Sequence, residues 1–447
     1  MHYLSLAEAG RAIAARELAA VEVTRALLDR IQRLNPELGV YYAVFAESAL
    51  AEAARADSEI AEGRVRGPLH GVPIAFKDLY NLGPTTAGSA VLKDNVAVRE
   101  AELVACMREA GAVVLGKLAT HEFALAAATF ADHFPPARNP WDRDRSPGGS
   151  STGAGVAVAA GLAFGAWGTD TGGSVRLPAA HCGVVGFKPT QGLLSLEGVI
   201  PLAWSLDHAG PLARSVEDAA LMFEAAASRR LQLDGGIEGL RVGVPRGFWA
   251  ATCDPQVAAA VEAAIADLAA AGAALVDIEL PFTIEDVIAT GYLITMSEAA
   301  AHHRRALREH GPEFGREFRL VLKTGNLLPA TAYVDARRAR RHITAGVGEA
   351  LLACEVLVMP TVGALADPIP AGPRPLGLRI NVRPAPVYTW LANLFGGAAV
   401  SVPCGFSAEG LPIGLQVLGR PGDDERVLRA AAAYEAATAW SGRHPIP

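Results

Sequence analysis

Two glycine-rich turns, each carrying Gly-Gly-Ser, are the places where this sequence could do chemistry. They are Ser146-Pro147-Gly148-Gly149-Ser150-Ser151-Thr152-Gly153 and Gly168-Thr169-Asp170-Thr171-Gly172-Gly173-Ser174-Val175-Arg176-Leu177-Pro178. A hydroxyl nucleophile needs an accessible Oγ, a base and donors for an oxyanion. The run Thr171 to Ser174 could turn consecutive backbone N–H groups toward one point, a nest for developing negative charge. No histidine adjoins either serine, so the candidate base is Lys77, which follows the apolar run Val72-Pro73-Ile74-Ala75-Phe76. Burial at the end of such a strand desolvates the amine and lowers its pKa toward the range of a working base. The competing reading pairs Lys77 with Asp78, but neighbours on a strand point to opposite faces.

Other short patterns fail on the residue their chemistry requires. Gly111 to Lys117 has the spacing of a phosphate-binding loop, yet Leu118 stands where a magnesium-holding hydroxyl belongs. His121-Glu122 opens like a zinc-protease helix, but the position four on from the histidine is Leu125. Gly149 to Gly153 satisfies G-x-S-x-G, although the polar run Asp142 to Ser146, not a buried strand, precedes it.

The elements that must position these residues are those of a large apolar chain. Of 447 residues, 51% are hydrophobic and 19% charged, enough for a sizeable core and far from a disordered composition. The net charge is 40 − 47 = −7, with the signs interleaved, so neither a nucleic-acid footprint nor a polybasic membrane patch is expected. The five scattered cysteines form no C-x-x-C pair, which fits a reducing cytoplasm, and the N-terminus lacks an export pattern. The apolar stretch Gly153 to Gly168 is too short to span a bilayer and reads as a buried helix. A helical unit is predicted over about Leu6 to Leu34, closed by Asn35-Pro36, and another over about Phe45 to Glu62. Strands are predicted at Val72–Phe76, Ala112–Leu115 and Val356–Met359, with a long helical region from Ile284 to Leu352. No linker or repeat divides the chain, so a single large α/β domain is expected.

The turns and the lysine segment together resemble the amidase signature family, hydrolases with a Ser-(cis-Ser)-Lys triad. Gly67 to Asp78 matches that family's lysine segment, Pro147 to Ser151 its first serine segment and Gly168 to Pro178 its second. Gly183 to Thr190 matches the end of the signature. The serines are 174 − 150 = 24 positions apart, as in the family, and similarity continues through Gly410–Gln416 and Gly419–Pro421. The resemblance implies one domain over 1–447, a central twisted mixed β-sheet covered by helices on both faces. Its signature core would lie at about 67–192 and its variable helical lid at about 284–350. It implies Ser174 as the acylated nucleophile, Ser150 after a cis peptide bond as proton relay, and Lys77 as general base and acid. The oxyanion hole would come from the N–H groups of Thr171, Gly172, Gly173 and Ser174. No metal or organic cofactor is implied. Thr152 stands where the family has glycine, and is expected to narrow the site.

The amidotransferase A-type subunits, which resemble this chain, hold glutamine with an arginine and an aspartate. Alignment on Gly325 and Asn393 puts Leu320 or Val321 at the first position and Pro386 at the second. Glutamine's charged groups would then be desolvated unpaired, at a cost of several kcal/mol. Tyr388, Trp390, Trp204 and Phe134 suggest an apolar or aromatic pocket, although core packing explains any one of them equally well. The expectation is a hydrolase of a small, apolar or aromatic amide through a seryl acyl-enzyme, with esters and carbamates accessible. Its partner would be that small-molecule substrate, with no nucleic acid and no membrane, and a homodimer is compatible. One alternative is a carboxybiuret or other ureido hydrolase working with a small partner subunit, because Trp204 to Pro211 and the helix near Tyr333 resemble that branch too. The other is a non-catalytic amidotransferase-like subunit.

Overall fold

The computed structural model describes residues 1–125, 134–369 and 387–445. Among the described residues eleven strands form one mixed sheet: β1 (Tyr41–Val44), β2 (Pro73–Lys77), β3 (Val113–Leu118), β4 (Gly165–Thr169), β5 (Val185–Lys188), β6 (Ala209–Ala213), β7 (Arg241–Val244), β8 (Ala274–Asp277), β9 (Val356–Pro360), β10 (Ala399–Phe406) and β11 (Pro412–Leu418). Their spatial order is β1-β3-β2-β4-β6-β5-β10-β11-β9-β7-β8. The flanking helices are α1 (Leu6–Ala14), α2 (Ala20–Leu38), α3 (Ala46–Ala61), α4 (Glu102–Glu109), α5 (Thr152–Ala159), α6 (Arg176–Cys182), α7 (Val216–Ala227), α8 (Arg246–Trp249), α9 (Pro255–Ala270), α10 (Ile284–His302), α11 (Arg304–His310), α12 (Arg316–Leu327), α13 (Ala330–Ala353), α14 (Trp390–Phe395) and α15 (Asp424–Ala436). The expected single α/β domain with a large mixed sheet flanked by helices is what the chain forms. Among the described residues no helix is long and apolar enough to cross a membrane.

The centre of the sheet positions the site. Strand β2 runs parallel to β3 on one side and β4 on the other, and all five of its residues are buried. That double burial explains its continuous apolar run. Parallel neighbours end on the same sheet edge, so Lys77 and Thr169, the last residues of β2 and β4, emerge together, where open α/β sheets place their ligands.

Two sequence expectations are corrected here. Gly153–Gly168 is not one helix: α5 stops at Ala159, Gly161 turns the chain at φ 65°, and Gly165–Thr169 is strand β4. Short apolar runs carry no periodicity that separates a buried strand from a buried helix. All eight residues of α5 are buried, and its small side chains let it pack against β2, β3, β4, β6 and α6. The first helical unit is also two helices, broken before Ala20, and α2 runs past Pro36 to Leu38. Its N-terminus has no local cap: the Ala20 and Val21 N–H groups donate to the Asp57 carboxylate of α3, at 2.6 and 3.0 Å. A cap supplied from a distant residue leaves no mark at the helix start itself.

Candidate active site

Lys77 and Ser150 are fully buried and touch. Lys77 Nζ lies 2.8 Å from Ser150 Oγ and 2.8 Å from Thr169 Oγ1. Burial pushes the amine down to about 7, against the pull of Asp170 and Asp207. Asp78, the residue after β2, does not pair with Lys77: its carboxylate meets Lys117 Nζ at 2.8 Å and accepts from the Thr86 N–H. The Gly149–Ser150 peptide is cis. The His121 N–H donates to Ser150 O at 3.2 Å, and burial together with Lys77 lowers the His121 imidazole to about 4. It therefore adds no charge beside the amine near neutral pH.

The second serine turn is tied to the first by the Ser151 N–H, which donates to Ser174 O at 3.2 Å. Ser174 is 8% exposed, whereas Lys77 and Ser150 are at 0%, so Ser174 is the one of the three that solvent reaches. Among the described residues no acceptor takes the N–H groups of Thr171, Gly172 or Ser174. Gly173 departs from expectation: its N–H is committed to Asp170 Oδ1 at 2.8 Å, leaving three of the four anticipated donors open. Its φ of +129° and a backbone that leaves no space for a Cβ beside Thr389 explain why glycine stands there. At the start of α5 the Thr152 hydroxyl donates to Ala119 O at 3.0 Å.

Three charged residues brace the turn: Asp170 and Arg176 lie within it, and Asp207 lies in the Trp204 to Pro211 segment. Asp170 accepts from Arg176 Nη2 at 2.8 Å and Nε at 3.0 Å and from Asn393 at 2.8 Å, all fully buried. Burial alone would raise its pKa, but the guanidinium and the amide hold it well below the usual carboxylate range. Arg176 also donates to Gln416 and to Thr389 O, joining the nest to β11 and the segment before α14. Asp207 accepts from Thr171 Oγ1 at 2.6 Å and from the N–H groups of Leu202 and Ala203. Arg176→Met strands the Asp170 carboxylate without its counter-ion, at an expected cost of about 3–5 kcal/mol in stability. Because the Asp170 pKa is depressed in the fold, this contribution is present above the unfolded carboxylate's pKa and is lost as pH falls. A lower urea midpoint at pH 7, with the gap narrowing in acid, is the expected reading; an unchanged midpoint contradicts the assignment.

The aromatic candidates separate. Tyr388 is core: its hydroxyl donates to Trp249 O at 3.1 Å. Phe134 packs on Tyr42 with centroids 4.5 Å apart, and Trp204 is exposed. Trp390 lies against the nest, where a Cβ on Gly172 would come 2.5 Å from its ring. Leu320 is exposed on α12 and Val321 is half-buried beside it, while Pro386 lies outside the described residues.

The family model described as Amidase matches residues 22–428. The chain is 40% identical to an amidase of Pseudomonas putida, covering 99% of this chain and 97% of that protein. It is 38% identical to the A-type subunit of a glutamyl-tRNA(Gln) amidotransferase of Geobacter metallireducens, covering 95% of each. A crystal structure of an amidase superposes with a TM-score of 0.89 at 34% identity, over 97% of this chain and 99% of that one.

Proposed function

This chain belongs to the amidase signature family and is an amidase, a hydrolase of carbon–nitrogen bonds, and from that premise we propose that Ser174, Ser150 and Lys77 carry its reaction. The observation that carries the reading is a buried, proton-poor lysine in contact with Ser150, beside a nest whose serine is the accessible one. Ser174 Oγ attacks the amide carbonyl while its proton passes to Ser150 Oγ, and the Ser150 proton passes to the neutral amine of Lys77. Charge on the carbonyl oxygen is met by the open N–H groups of Thr171, Gly172 and Ser174. The C–N bond breaks as Lys77 returns its proton through Ser150 to the leaving amine. Water then repeats the sequence on the acyl-enzyme.

We assign the substrate to small, apolar or aromatic amides. The side chains at Leu320 and Val321 offer no charge to hold an amino acid, which supports an uncharged substrate. The five cysteines are all free thiols, which fits a cytoplasmic setting. A second reading rests on the likeness to the amidotransferase relative: a subunit of an amidotransferase-like assembly that does not turn over substrate alone. Assay of the isolated chain on aryl amides, aliphatic amides, carbamates and ureas tests both. Turnover with highest kcat/KM on aryl amides is expected. A chain inactive on every class until a partner is added contradicts the first reading and supports the second.

A further inference from the structure

We propose that helix α10 sets the geometry of the oxyanion nest, with Glu298 and Trp390 as its positioning residues. The inference rests on the proposed role of that nest. Glu298 is buried, its side chain 1% exposed. Its carboxylate accepts from the Ser205 N–H at 3.0 Å, the Ser205 hydroxyl at 2.6 Å and the Tyr333 hydroxyl of α13 at 2.9 Å, with the Arg337 guanidinium at 4.0 Å. Arg340 of α13 donates to Ser205 O at 3.0 Å. Ser205 is two residues before Asp207, the carboxylate that holds Thr171 Oγ1 at 2.6 Å. One end of the nest is therefore tied to α10 by charge-assisted hydrogen bonds at Glu298 and at Asp207, joined through the Ser205–Asp207 backbone.

The second link is steric and independent of the first. Gly291 lies 298 − 291 = 7 residues before Glu298, two helical turns away and so on the same face. A Cβ on Gly291 would meet Trp390 Cε3 at 2.4 Å, and one on Gly172 would meet Trp390 Cε2 at 2.5 Å. The indole fills the space between α10 and the nest, with Tyr292 packed at a centroid distance of 5.3 Å. One helix face thus reaches Thr171 through hydrogen bonds and Gly172 through a ring. Oxyanion donors act by being preorganised, so a helix that fixes two consecutive nest residues controls transition-state binding without touching substrate.

The test uses the full chain and two variants that disturb separate links: Glu298→Gln, and Gly291→Ala, which favours helix while driving the indole toward Gly172. Phenylboronic acid probes the nest. Its boron accepts a lone pair from Ser174 Oγ to form a B–O bond, the hydroxyl proton passes through Ser150 to Lys77, and the tetrahedral anion lies in the nest. Benzamide, trigonal, uncharged and itself of the proposed substrate class, reports the ground state through its KM. Both variants are expected to weaken phenylboronic acid roughly tenfold to a hundredfold and lower kcat similarly, while the benzamide KM changes less than about threefold and circular dichroism shows both folded at the assay temperature. Adding Trp390→Phe to Gly291→Ala should restore much of the loss by giving back space. Unchanged boronate affinity in both variants, or equal weakening of both ligands, overturns the inference. Ser174→Ala separates the two levels. If it binds phenylboronic acid like the parent enzyme, the catalytic reading fails; if it loses that binding while both helix variants keep it, only the role of α10 fails.

Discussion

Lys77→Ala is expected to abolish the rise of kcat/KM with pH and to remove most of the rate on amides. A free lysine titrates at about 10.4 and would be neutral at pH 7 in fewer than roughly one molecule in a thousand. In this fold burial brings Lys77 to about 7, so about half of the molecules hold a proton-accepting amine at neutral pH. The groups facing it are Asp170 and Asp207, which pull the pKa up, and the hydroxyls of Ser150 and Thr169, which hydrogen-bond the amine. His121 is neutral there and Asp78 is spent on Lys117. Since only the deprotonated form accepts the serine proton, kcat/KM must rise with pH through an apparent pKa near that of Lys77. The apparent value belongs to the coupled Lys77–Ser150–Ser174 site. Loss of general acid–base help costs about 10²- to 10⁴-fold on amides. Activated esters, whose leaving groups need no proton, should lose less. A pH–rate profile of Lys77→Ala that keeps the parent's limb on an amide contradicts this role.

How far these groups are legible in the sequence depends on whether their signal is local. Lys77, Ser150 and Ser174 lie in contiguous motifs, and the buried run Val72 to Phe76 predicts β2 and the direction of the Lys77 shift without any structure. Glu298, Asp207 and Asn393 act through tertiary contacts, and the hydrogen bonds that tie them to Ser205, Tyr333, Thr171 and Asp170 span 35 to 223 positions of sequence; no periodicity marks such residues. The same holds for α2, capped from Asp57, and for β4, whose Gly-Ala-Trp-Gly-Thr has no strand signature. Gly173 shows the limit of reading a turn as a row of donors: which N–H stays open depends on where the Asp170 carboxylate folds back.

Ser174→Ala should reduce turnover of every substrate class to background, a loss on the order of a millionfold if the triad acts as a unit. The reason is positional. Ser150 Oγ is engaged by Lys77 and has no exposure, while Ser174 sits at the open N–H groups of Thr171 and Gly172 and is reached by solvent. An alanine there leaves Lys77, Ser150 and the nest in place but removes the hydroxyl proposed to accept the acyl group. Ser150→Ala, by contrast, should leave an acylable Ser174 with its proton path to Lys77 broken, so activated esters retain more activity than amides.

Residence of the acyl group on Ser174 is the claim on which the proposed mechanism stands. Treating the enzyme with a fluorophosphonate, then digesting it and mapping the labelled peptide by mass spectrometry, tests that claim most directly. One adduct on Ser174 is predicted, absent from Ser174→Ala and formed more slowly in Lys77→Ala. An adduct on Ser150, or labelling that persists in Ser174→Ala, would contradict it.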